Sequence, residues 1–373
     1  MIDVKEFFDS LRNEGVYRYC GVPDSLLKNI CAYISDNTTP NEHLITANEG
    51  SAVALAVGQY IATGKPSLVY MQNSGFGNAI NPLLSLADSK VYAIPMLLMV
   101  GWRGEPGIKD EPQHIKQGEI MERLLNACDL PTIIIGADTK NIEEVLKSAT
   151  AMTITNNQPV VLLVKKGTFG PYKLKNTMPD IANLSREDAI EVIVEASELD
   201  DVFVSTTGMP SRELFEIRVK NQQSHEKDFL TVGSMGHANM IALGVAQNTD
   251  RHVFCIDGDG ASIMHLGNLT SSGQSGSKNL IHIILNNAAH DSVGGQPTCA
   301  GEIDLPSIAK ACGYTSTKSM AEPDEIRNYI KKIKSQPGPH LLEVKIKKGS
   351  RSDLGRPTSS PIENKTALMN AFR

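Results

Sequence analysis

The sequence has 373 residues, a length typical of two or three domains. Hydrophobic residues make up 41% and charged residues 21%, as in ordinary globular proteins, and the net charge of −6 argues against a general nucleic-acid-binding surface. No apolar run is long enough to span a membrane, and the amphipathic N-terminus lacks the apolar core of a signal peptide. The six cysteines form no C-x-x-C pair, so we expect free thiols and a cytoplasmic location.

Residues 1–170 alternate between helix and strand patterns. Apolar residues at helical spacing predict a helix near residues 4–11, and the alanine-rich segment Glu49–Thr63 predicts another. Pro23, Asp24 and Ser25 predict the start of a further helix. Apolar runs predict strands at residues 16–21, 43–47, 67–71, 92–100, 131–135 and 159–164. This alternation implies a parallel sheet covered on both faces.

A second alternating series follows a segment with few apolar residues. Residues 171–184 contain Pro171 and Pro179 and are predicted to be a linker. Strands are predicted near residues 201–205, 229–232, 252–256, 280–285 and 340–346. The predicted fold class is therefore α/β, with two doubly wound parallel-sheet domains at residues 1–170 and 185–373 and no middle domain between them.

The most informative stretch lies in the second half, at residues 251–291. A buried strand pattern leads into Gly258-Asp259-Gly260 and the small residue Ala261, and the next strand ends on Asn286-Asn287. Polar residues at the carboxyl ends of parallel strands mark a ligand site. Carboxylate and amide oxygens suit Mg²⁺, and glycines let a diphosphate approach the backbone. A Rossmann loop is the alternative, but it requires a small residue where Ile263 stands.

The two parts of this motif together resemble the thiamine diphosphate and Mg²⁺ motif of thiamine-dependent enzymes. The resemblance implies that Asp259, Asn287 and the backbone carbonyl of Ala289 hold Mg²⁺. It further implies a set of residues around the cofactor, namely Thr207, Gly208, Gly233, Met235, Gly258, Asp259, Gly260 and Ala261. Within it, Met235 supports the bent cofactor, and the Gly233 carbonyl binds the 4′-amino group. For Thr207 and Gly208, an ordinary helix-capping turn is nearly as good an explanation.

Glu49 follows a predicted strand and begins a predicted helix. An acidic residue at a helix start is common, because the helix macrodipole favours it. Within the resemblance, Glu49 matches the glutamate that hydrogen-bonds N1′ of the cofactor's aminopyrimidine ring. A carboxyl buried beside an apolar ring is expected to have a raised pKa.

The loop from Gly101 to His114 contains the single tryptophan and follows a strong strand. It resembles phosphonopyruvate decarboxylases, as do the segments Cys20–Ser25, His290–Gln296 and Gly349–Pro357. The resemblance implies decarboxylation of 3-phosphonopyruvate to phosphonoacetaldehyde and CO₂, a step of phosphonate (2-aminoethylphosphonate) biosynthesis. Arg103 and His114 are the candidate substrate-binding residues, because a guanidinium suits an anion with several oxygens. After CO₂ leaves, the remaining carbon must take up a proton. The candidate acids or proton shuttles for this step are Asp24, His114 and His290.

Two alternatives stay open at this point. Sulfopyruvate decarboxylases resemble the chain in architecture, although the Asp110–His114 stretch favours the phosphonate. A non-catalytic regulatory subunit that binds thiamine diphosphate is the third hypothesis, and the presence of Glu49, Asp259 and Asn287 together argues against it. The family resemblance also implies a homo-oligomer, at least a dimer with shared active sites. The basic tail containing Arg351 and Arg356 fits either a mobile lid or a disordered end.

Overall fold

A computed structural model describes all residues 1–373, which divide into two units. The first unit comprises Met1–Thr177 together with Ser292–Gln296, and the second comprises Met178–Asp291 and Pro297–Arg373. Each unit contains a six-stranded sheet in which all strand pairs are parallel. The predicted α/β class with two doubly wound sheets is therefore confirmed.

The sheet of the first unit has the strand order β2-β1-β3-β4-β6-β5. Its strands are β1 Tyr19–Gly21, β2 His43–Ile45, β3 Ser67–Gln72, β4 Met96–Gly101, β5 Thr132–Ile135 and β6 Pro159–Val164. Its helices are α1 Val4–Asn13, α2 Lys28–Asp36, α3 Glu49–Thr63, α4 Phe76–Pro82, α5 Pro112–Ala127 and α6 Ile142–Asn156. Helix α3 has the predicted bounds, because Asn48 caps its start by accepting the Ser51 N–H and Gly64 ends it in a left-handed conformation.

Several predicted boundaries in this unit are shifted, as at β1, which begins at Tyr19 instead of residue 16, and two are wrong by four or five residues. The helix predicted at Pro23 begins only at Lys28, because the Asp24 carboxylate accepts the Leu26 N–H and holds these residues in a turn. The strand predicted from residue 92 begins at Met96. Ala93 has a positive φ of 54° and its N–H bonds the Asp88 carbonyl, so the chain turns there despite its apolar residues.

The sheet of the second unit has the order β11-β12-β10-β9-β7-β8. Its strands are β7 Val202–Ser205, β8 Asp228–Leu230, β9 Val253–Gly258, β10 Leu280–Asn286, β11 Ser316–Met320 and β12 His340–Lys345. Its helices are α7 Arg186–Ala196, α8 Met209–Lys220, α9 Ala238–Ala246, α10 Asp259–Met264, α11 Asn268–Gln274, α12 Leu305–Cys312, α13 Pro323–Lys334 and α14 Pro361–Ala371. The edge strand β11 and the C-terminal helix α14 were not predicted from the sequence.

Both sheets are buried on both faces, as the strand patterns predicted. Along β3, Leu68 and Tyr70 join one hydrophobic core and Val69 and Met71 join the other. In the second unit, β10 divides its apolar side chains in the same way between the two sides of its sheet. Alternating side chains of a strand point to opposite faces, so helices must cover both.

The strand orders place the candidate site residues at the carboxyl edge of each sheet. In the first unit the order reverses between β1 and β3, and in the second it reverses between β7 and β9. Ligands of open α/β sheets bind at such switch points, outside the carboxyl ends of the strands. None of the helices combines the length and the apolar composition that a transmembrane span would need.

Candidate active site

The first unit buries Glu49 at the start of α3, where the side chain is 4% exposed. Asn78 Nδ2 donates a 2.8 Å hydrogen bond to Glu49 Oε2. A Cβ at position 75 would lie 2.0 Å from Glu49 Oε1, so only glycine at that position leaves room for the carboxyl. Burial raises the pKa of Glu49, and the Asn78 bond opposes the shift. The carboxyl is thus fixed in place, and it keeps its proton to a higher pH than an exposed glutamate does.

Asp24 lies after β1 and is 1% exposed. A Cβ at Gly101, the last residue of β4, would come within 2.1 Å of Asp24 Oδ2. Burial raises the pKa of Asp24 to about 6, although the nearby Arg103 guanidinium counteracts the shift. The carboxyl therefore keeps a proton closer to neutral pH than an exposed aspartate does.

Arg103 is held by several partners on the loop after β4. Its Nε and Nη2 donate to the two carboxylate oxygens of Asp110 at 2.8 and 2.5 Å, and its Nη1 donates to Ser25 Oγ at 2.8 Å. The Asn73 side chain bonds both the N–H and the carbonyl of Arg103. The guanidinium holds the pKa of Asp110 well below its usual range. Arg103 is thus a fixed, already paired cation.

His114 lies in the first turn of α5 rather than in the preceding loop, and it is 8% exposed. Its Nδ1 has no hydrogen-bond partner, and neither have the buried Oε1 atoms of Gln113 and Gln117. Burial lowers the pKa of His114, and the charge of Arg103 lowers it further. Buried polar atoms without partners call for a ligand or water, so His114, Gln113 and Gln117 remain candidates for a polar binding site.

In the second unit, Asp259 begins α10 directly after β9 and is 4% exposed. Thr298 Oγ1 donates a 2.5 Å hydrogen bond to Asp259 Oδ2. Burial raises the pKa of Asp259 to about 6, while this bond opposes the shift. The strand register pairs Gly258 with Leu285, so Asp259 and Asn286 follow at neighbouring positions.

The two asparagines after β10 have different surroundings. Asn286 Nδ2 donates to the Ala300 carbonyl and to Glu343 Oε1, so this side chain forms hydrogen bonds in the interior of the unit. Asn287 is 5% exposed, and its Oδ1 accepts the Ala289 N–H at 3.1 Å. Asn287 rather than Asn286 is thus the amide that remains for a ligand.

The structure brings Met235, Gly260 and His290 together. A Cβ at Gly260 would lie 3.3 Å from the His290 ring and 3.5 Å from Met235 Cε. Burial lowers the pKa of His290 to about 4, so its imidazole is neutral near pH 7. The turn that carries Met235 depends on positive φ angles at Gly233, Ser234 and Gly236.

Thr207 and Gly208 join this edge from β7. Thr207 Oγ1 accepts the Gly233 N–H at 3.0 Å, which ties the turn after β7 to the turn after β8. Gly208 has a φ of 101° immediately before α8.

Comparisons with known proteins agree with this arrangement. The N-terminal TPP binding domain of thiamine pyrophosphate enzymes matches residues 4–125, and the C-terminal TPP binding domain matches residues 207–344. A phosphonopyruvate decarboxylase of Streptomyces viridochromogenes is 35% identical over 97% of this chain and 93% of its own length. The chain belongs to the phosphonopyruvate decarboxylase family of thiamine pyrophosphate enzymes.

Two further relatives show how specific the similarity is. A phosphonopyruvate decarboxylase of Streptomyces hygroscopicus is 33% identical over 97% of this chain and 92% of its own. A sulfopyruvate decarboxylase of Methanosarcina acetivorans is 28% identical over 95% of this chain and 94% of its own. The predicted class of enzyme, a thiamine diphosphate-dependent decarboxylase, is confirmed, and thiamine diphosphate is its cofactor.

The second unit of this family member fits a metal–diphosphate group. The Asp259 carboxylate accepts hydrogen bonds from Thr298 and from backbone N–H groups and lies near Asp257, and none of these groups is a cation. The hydroxyls of Ser205, Thr231 and Ser262 are buried without hydrogen-bond partners, and all three lie at or just beyond the carboxyl ends of β7, β8 and β9. Buried polar atoms of this kind require a ligand or water, and a diphosphate with its cation meets that requirement.

A second polar cluster in this unit lies deeper. Cys255 and Asp257 on β9 and His282 on β10 place their potential ligand atoms within 4.8 Å of one another. Asp257 Oδ1 accepts the Gly258 N–H, and Asp257 Oδ2 lies 3.4 Å from His282 Nε2. Because Cys255, Asp257 and His282 are at most 1% exposed and lie on strands within the sheet, we assign them to the interior rather than to the cofactor.

Several residues of the site were not identified from the sequence. Asn78 and Thr298 each contact a candidate residue although neither belongs to a short motif around its partner. Asp110 lies on the same loop as Arg103, but its pairing with the guanidinium was not predicted. The unpaired hydroxyls of Ser205, Thr231 and Ser262 give no sequence signal that separates them from ordinary turn residues. Only the strand register and the approach of distant loops bring these groups to the site.

Proposed function

We propose that the protein converts 3-phosphonopyruvate to phosphonoacetaldehyde and CO₂, with thiamine diphosphate and Mg²⁺, as a step in making phosphonates. The observation that carries this proposal is the similarity along nearly the whole chain to phosphonopyruvate decarboxylases. The buried Glu49 of the first unit and the buried Asp259 of the second support it, since each is a carboxyl that the fold places without a cationic partner.

Thiamine diphosphate supplies an electron-accepting ring that stabilises the negative charge left on carbon when CO₂ departs. Glu49, whose pKa is raised by burial, would hold the aminopyrimidine ring through its carboxyl. Asp259, Asn287 and the Ala289 carbonyl would hold the Mg²⁺ that accompanies the diphosphate. Thr207, Gly208, Gly258, Gly260 and Ala261 would surround the diphosphate, while Gly233 and Met235 would support the aminopyrimidine ring.

The carbon that loses CO₂ must then receive a proton. Asp24, His114 and His290 are the candidates, and their surroundings differ. Burial lowers the pKa of both histidines, so each is mostly neutral near pH 7. Burial raises the pKa of Asp24 to about 6, which keeps part of its population protonated near neutral pH. Asp24 is therefore our first choice for the acid, with His114 and His290 as proton relays.

Arg103 is our candidate for binding the phosphonate, with His114 beside it. The Asp110 carboxylate already pairs with the Nε and Nη2 groups along one edge of the guanidinium. The phosphonate therefore either shares Arg103 through Nη1, now bonded to Ser25, or displaces Asp110. In both cases the paired geometry fixes the direction of the guanidinium before the substrate arrives, which reduces the entropy lost on binding.

Sulfopyruvate decarboxylase is the second candidate, because the Methanosarcina acetivorans relative also matches nearly the whole chain. Sulfonate and phosphonate groups have the same tetrahedral shape with three terminal oxygens. A sulfonate carries one negative charge and a phosphonate carries one or two, so their charges differ by at most one unit. The deciding experiment measures CO₂ release from 3-phosphonopyruvate and from sulfopyruvate under the same conditions. We expect a kcat/KM that is higher for phosphonopyruvate. Faster turnover of sulfopyruvate would reverse the assignment, and turnover of neither oxo acid would support the regulatory subunit.

We also propose that the enzyme works in the cytoplasm as a homo-oligomer, at least a dimer. The six cysteines are all unpaired and four are buried, which suits a reducing compartment. The family resemblance implies that Glu49 of one chain and Asp259 of its partner complete each site.

A further inference from the structure

One residue outside the cofactor motif joins the two chain segments that supply the proposed Mg²⁺ ligands. Thr298 Oγ1 donates to Asp259 Oδ2 at 2.5 Å. The backbone N–H of the same residue donates to the Ala288 carbonyl at 3.0 Å. Asp259 follows β9 and Ala288 follows β10, so Thr298 contacts the ends of both strands.

Residues 286–289, the segment that the Thr298 N–H contacts, are held by several further hydrogen bonds. Asn286 Oδ1 accepts the Ala288 N–H at 2.9 Å, and Asn287 Oδ1 accepts the Ala289 N–H at 3.1 Å. Ala289 and Pro297 form an isolated antiparallel bridge directly beside Thr298. Ala288 has a φ of 54°, a conformation that a non-glycine residue holds only when its surroundings impose it. Thr298 is therefore placed to maintain the backbone that carries Asn287 and Ala289.

We propose that Thr298 is a positioning residue for the metal: its hydroxyl orients the Asp259 carboxylate, and its N–H anchors the loop that carries the other two ligands. The inference rests on the proposed function, because it takes Asp259 as a Mg²⁺ ligand. A hydroxyl donates a single hydrogen, so it occupies one lone pair of the carboxylate and leaves the others for a cation. Partners of this kind commonly change metal affinity about 10- to 100-fold.

Substitution at one position separates the hydroxyl from the shape of the side chain. Thr298→Val keeps the branched shape and removes the hydroxyl, whereas Thr298→Ser keeps the hydroxyl. Mg²⁺ is titrated calorimetrically into each protein with excess thiamine diphosphate. We expect the Kd for Mg²⁺ to rise about 10- to 100-fold in Thr298→Val and to stay near the wild-type value in Thr298→Ser.

The matched control is Thr153→Val on α6, which removes the buried Thr153 hydroxyl that donates to the Thr150 carbonyl in the first unit. This change costs a buried hydrogen bond too, but it should leave the Kd for Mg²⁺ unchanged. Circular dichroism and thermal unfolding without metal establish that each variant is folded. If Thr298→Val does not fold, the smaller Thr298→Ala takes its place with the same expected Kd.

Asp259→Ala distinguishes the two proposals. A wild-type Kd in Thr298→Val together with weak binding in Asp259→Ala overturns the role of Thr298 and leaves the metal ligand in place. An unchanged Kd in Asp259→Ala overturns the ligand assignment itself. Weak Mg²⁺ binding in Thr298→Ser as well as in Thr298→Val would show that the hydroxyl is not responsible and would also overturn the inference.

Discussion

Glu49 and Asp24 owe their positions to glycines on neighbouring segments. A Cβ at Gly75 would lie 2.0 Å from Glu49 Oε1, and a Cβ at Gly101 would lie 2.1 Å from Asp24 Oδ2. Glycine at positions 75 and 101 thus leaves the space in which the two carboxyls are buried. Burial raises the pKa of both carboxyls. Burying an ionisable group opposes folding, so a functional role is the best explanation for both residues.

The first prediction concerns Glu49→Gln. Glutamine has the same shape and can still contact Asn78, so the thermal unfolding temperature should stay close to that of the wild type. It lacks the carboxyl proton, and we expect decarboxylation to fall by about 100- to 10,000-fold, the usual contribution of a positioned acid or base. Steady-state kinetics at saturating thiamine diphosphate provide the measurement. Near-wild-type turnover would remove Glu49 from the mechanism.

The second prediction concerns Arg103→Ala. We expect kcat/KM for phosphonopyruvate to fall by an amount equivalent to roughly 1.5–3 kcal/mol, the range for a lost charged hydrogen bond. Pyruvate lacks the phosphonate, so its poorer turnover should change little. The comparison therefore requires kcat/KM for both substrates in both proteins.

Asp110→Asn serves as the control for the ion pair in this experiment. It removes the charge that Arg103 faces but leaves the guanidinium, so it tests whether the loss in Arg103→Ala comes from the broken pair. Equal losses on phosphonopyruvate and pyruvate in Arg103→Ala would assign Arg103 to the fold or the cofactor instead of the phosphonate.

At the scale of elements, the C-terminal helix α14 completes an edge of the second unit. A capping box starts it, in which Ser360 and Glu363 bond one another's backbone N–H groups. The Asn364 side chain accepts the Leu230 N–H and donates to the Asp228 carbonyl, so it binds the edge strand β8. Upstream, Arg351 forms ion pairs with Glu187 and Glu216, so the tail lies against its own unit.

The third prediction follows from this docking. Asn364→Ala leaves a buried N–H and a buried carbonyl of β8 without partners, and we expect the free energy of unfolding to fall by roughly 1–3 kcal/mol. Asn370→Ala on the exposed side of the same helix is the matched control and should change it by less than about 0.5 kcal/mol. Denaturant unfolding of both variants is the measurement. Equal effects would mean that helix formation, not the contact with β8, determines the stability.

At the scale of the whole molecule, the site residues are divided between the two units. Glu49, Asp24, Arg103 and His114 belong to the first, and Asp259, Asn287 and Met235 belong to the second. Each set lies at the carboxyl edge of its own sheet. Because the candidate residues are divided in this way, complementation between variants can test the proposal that a dimer shares its active sites.

The fourth prediction is that two inactive variants restore activity when their subunits exchange. In a mixed dimer of Glu49→Gln and Asp259→Ala, one of the two shared sites contains neither substitution and the other contains both. We therefore expect up to about half of the wild-type activity per mixed dimer, because one site in two is intact. Mass spectrometry of differently tagged subunits measures the hybrid fraction. Inactive hybrids, once shown to form, would place each complete site within one chain.

The sequence by itself determined the fold class, the cofactor and most of the candidate residues. Strand and helix periodicities are local, so the bounds of α3 and β6 agree with the prediction. The predictions were wrong where local patterns conflicted with turn geometry. Asp24 holds a turn where a helix was predicted. The positive φ of Ala93 turns the chain, so β4 begins at Met96 and not at residue 92. The polar motif around Asp259 identified the cofactor because its chemistry is concentrated in a short stretch.

The tertiary structure alone decided which groups meet. The strand register brings Asp259 and Asn286 to neighbouring positions, although it is Asn287 whose side chain remains for a ligand. Loop closure brings Thr298 to Asp259 across 39 residues and turns Asp110 towards Arg103. Contacts between residues distant in sequence depend on how the loops pack, and local secondary-structure propensity cannot predict that packing. For this reason the candidate ligands could be proposed from the sequence, whereas only the folded chain identified the residues that contact them.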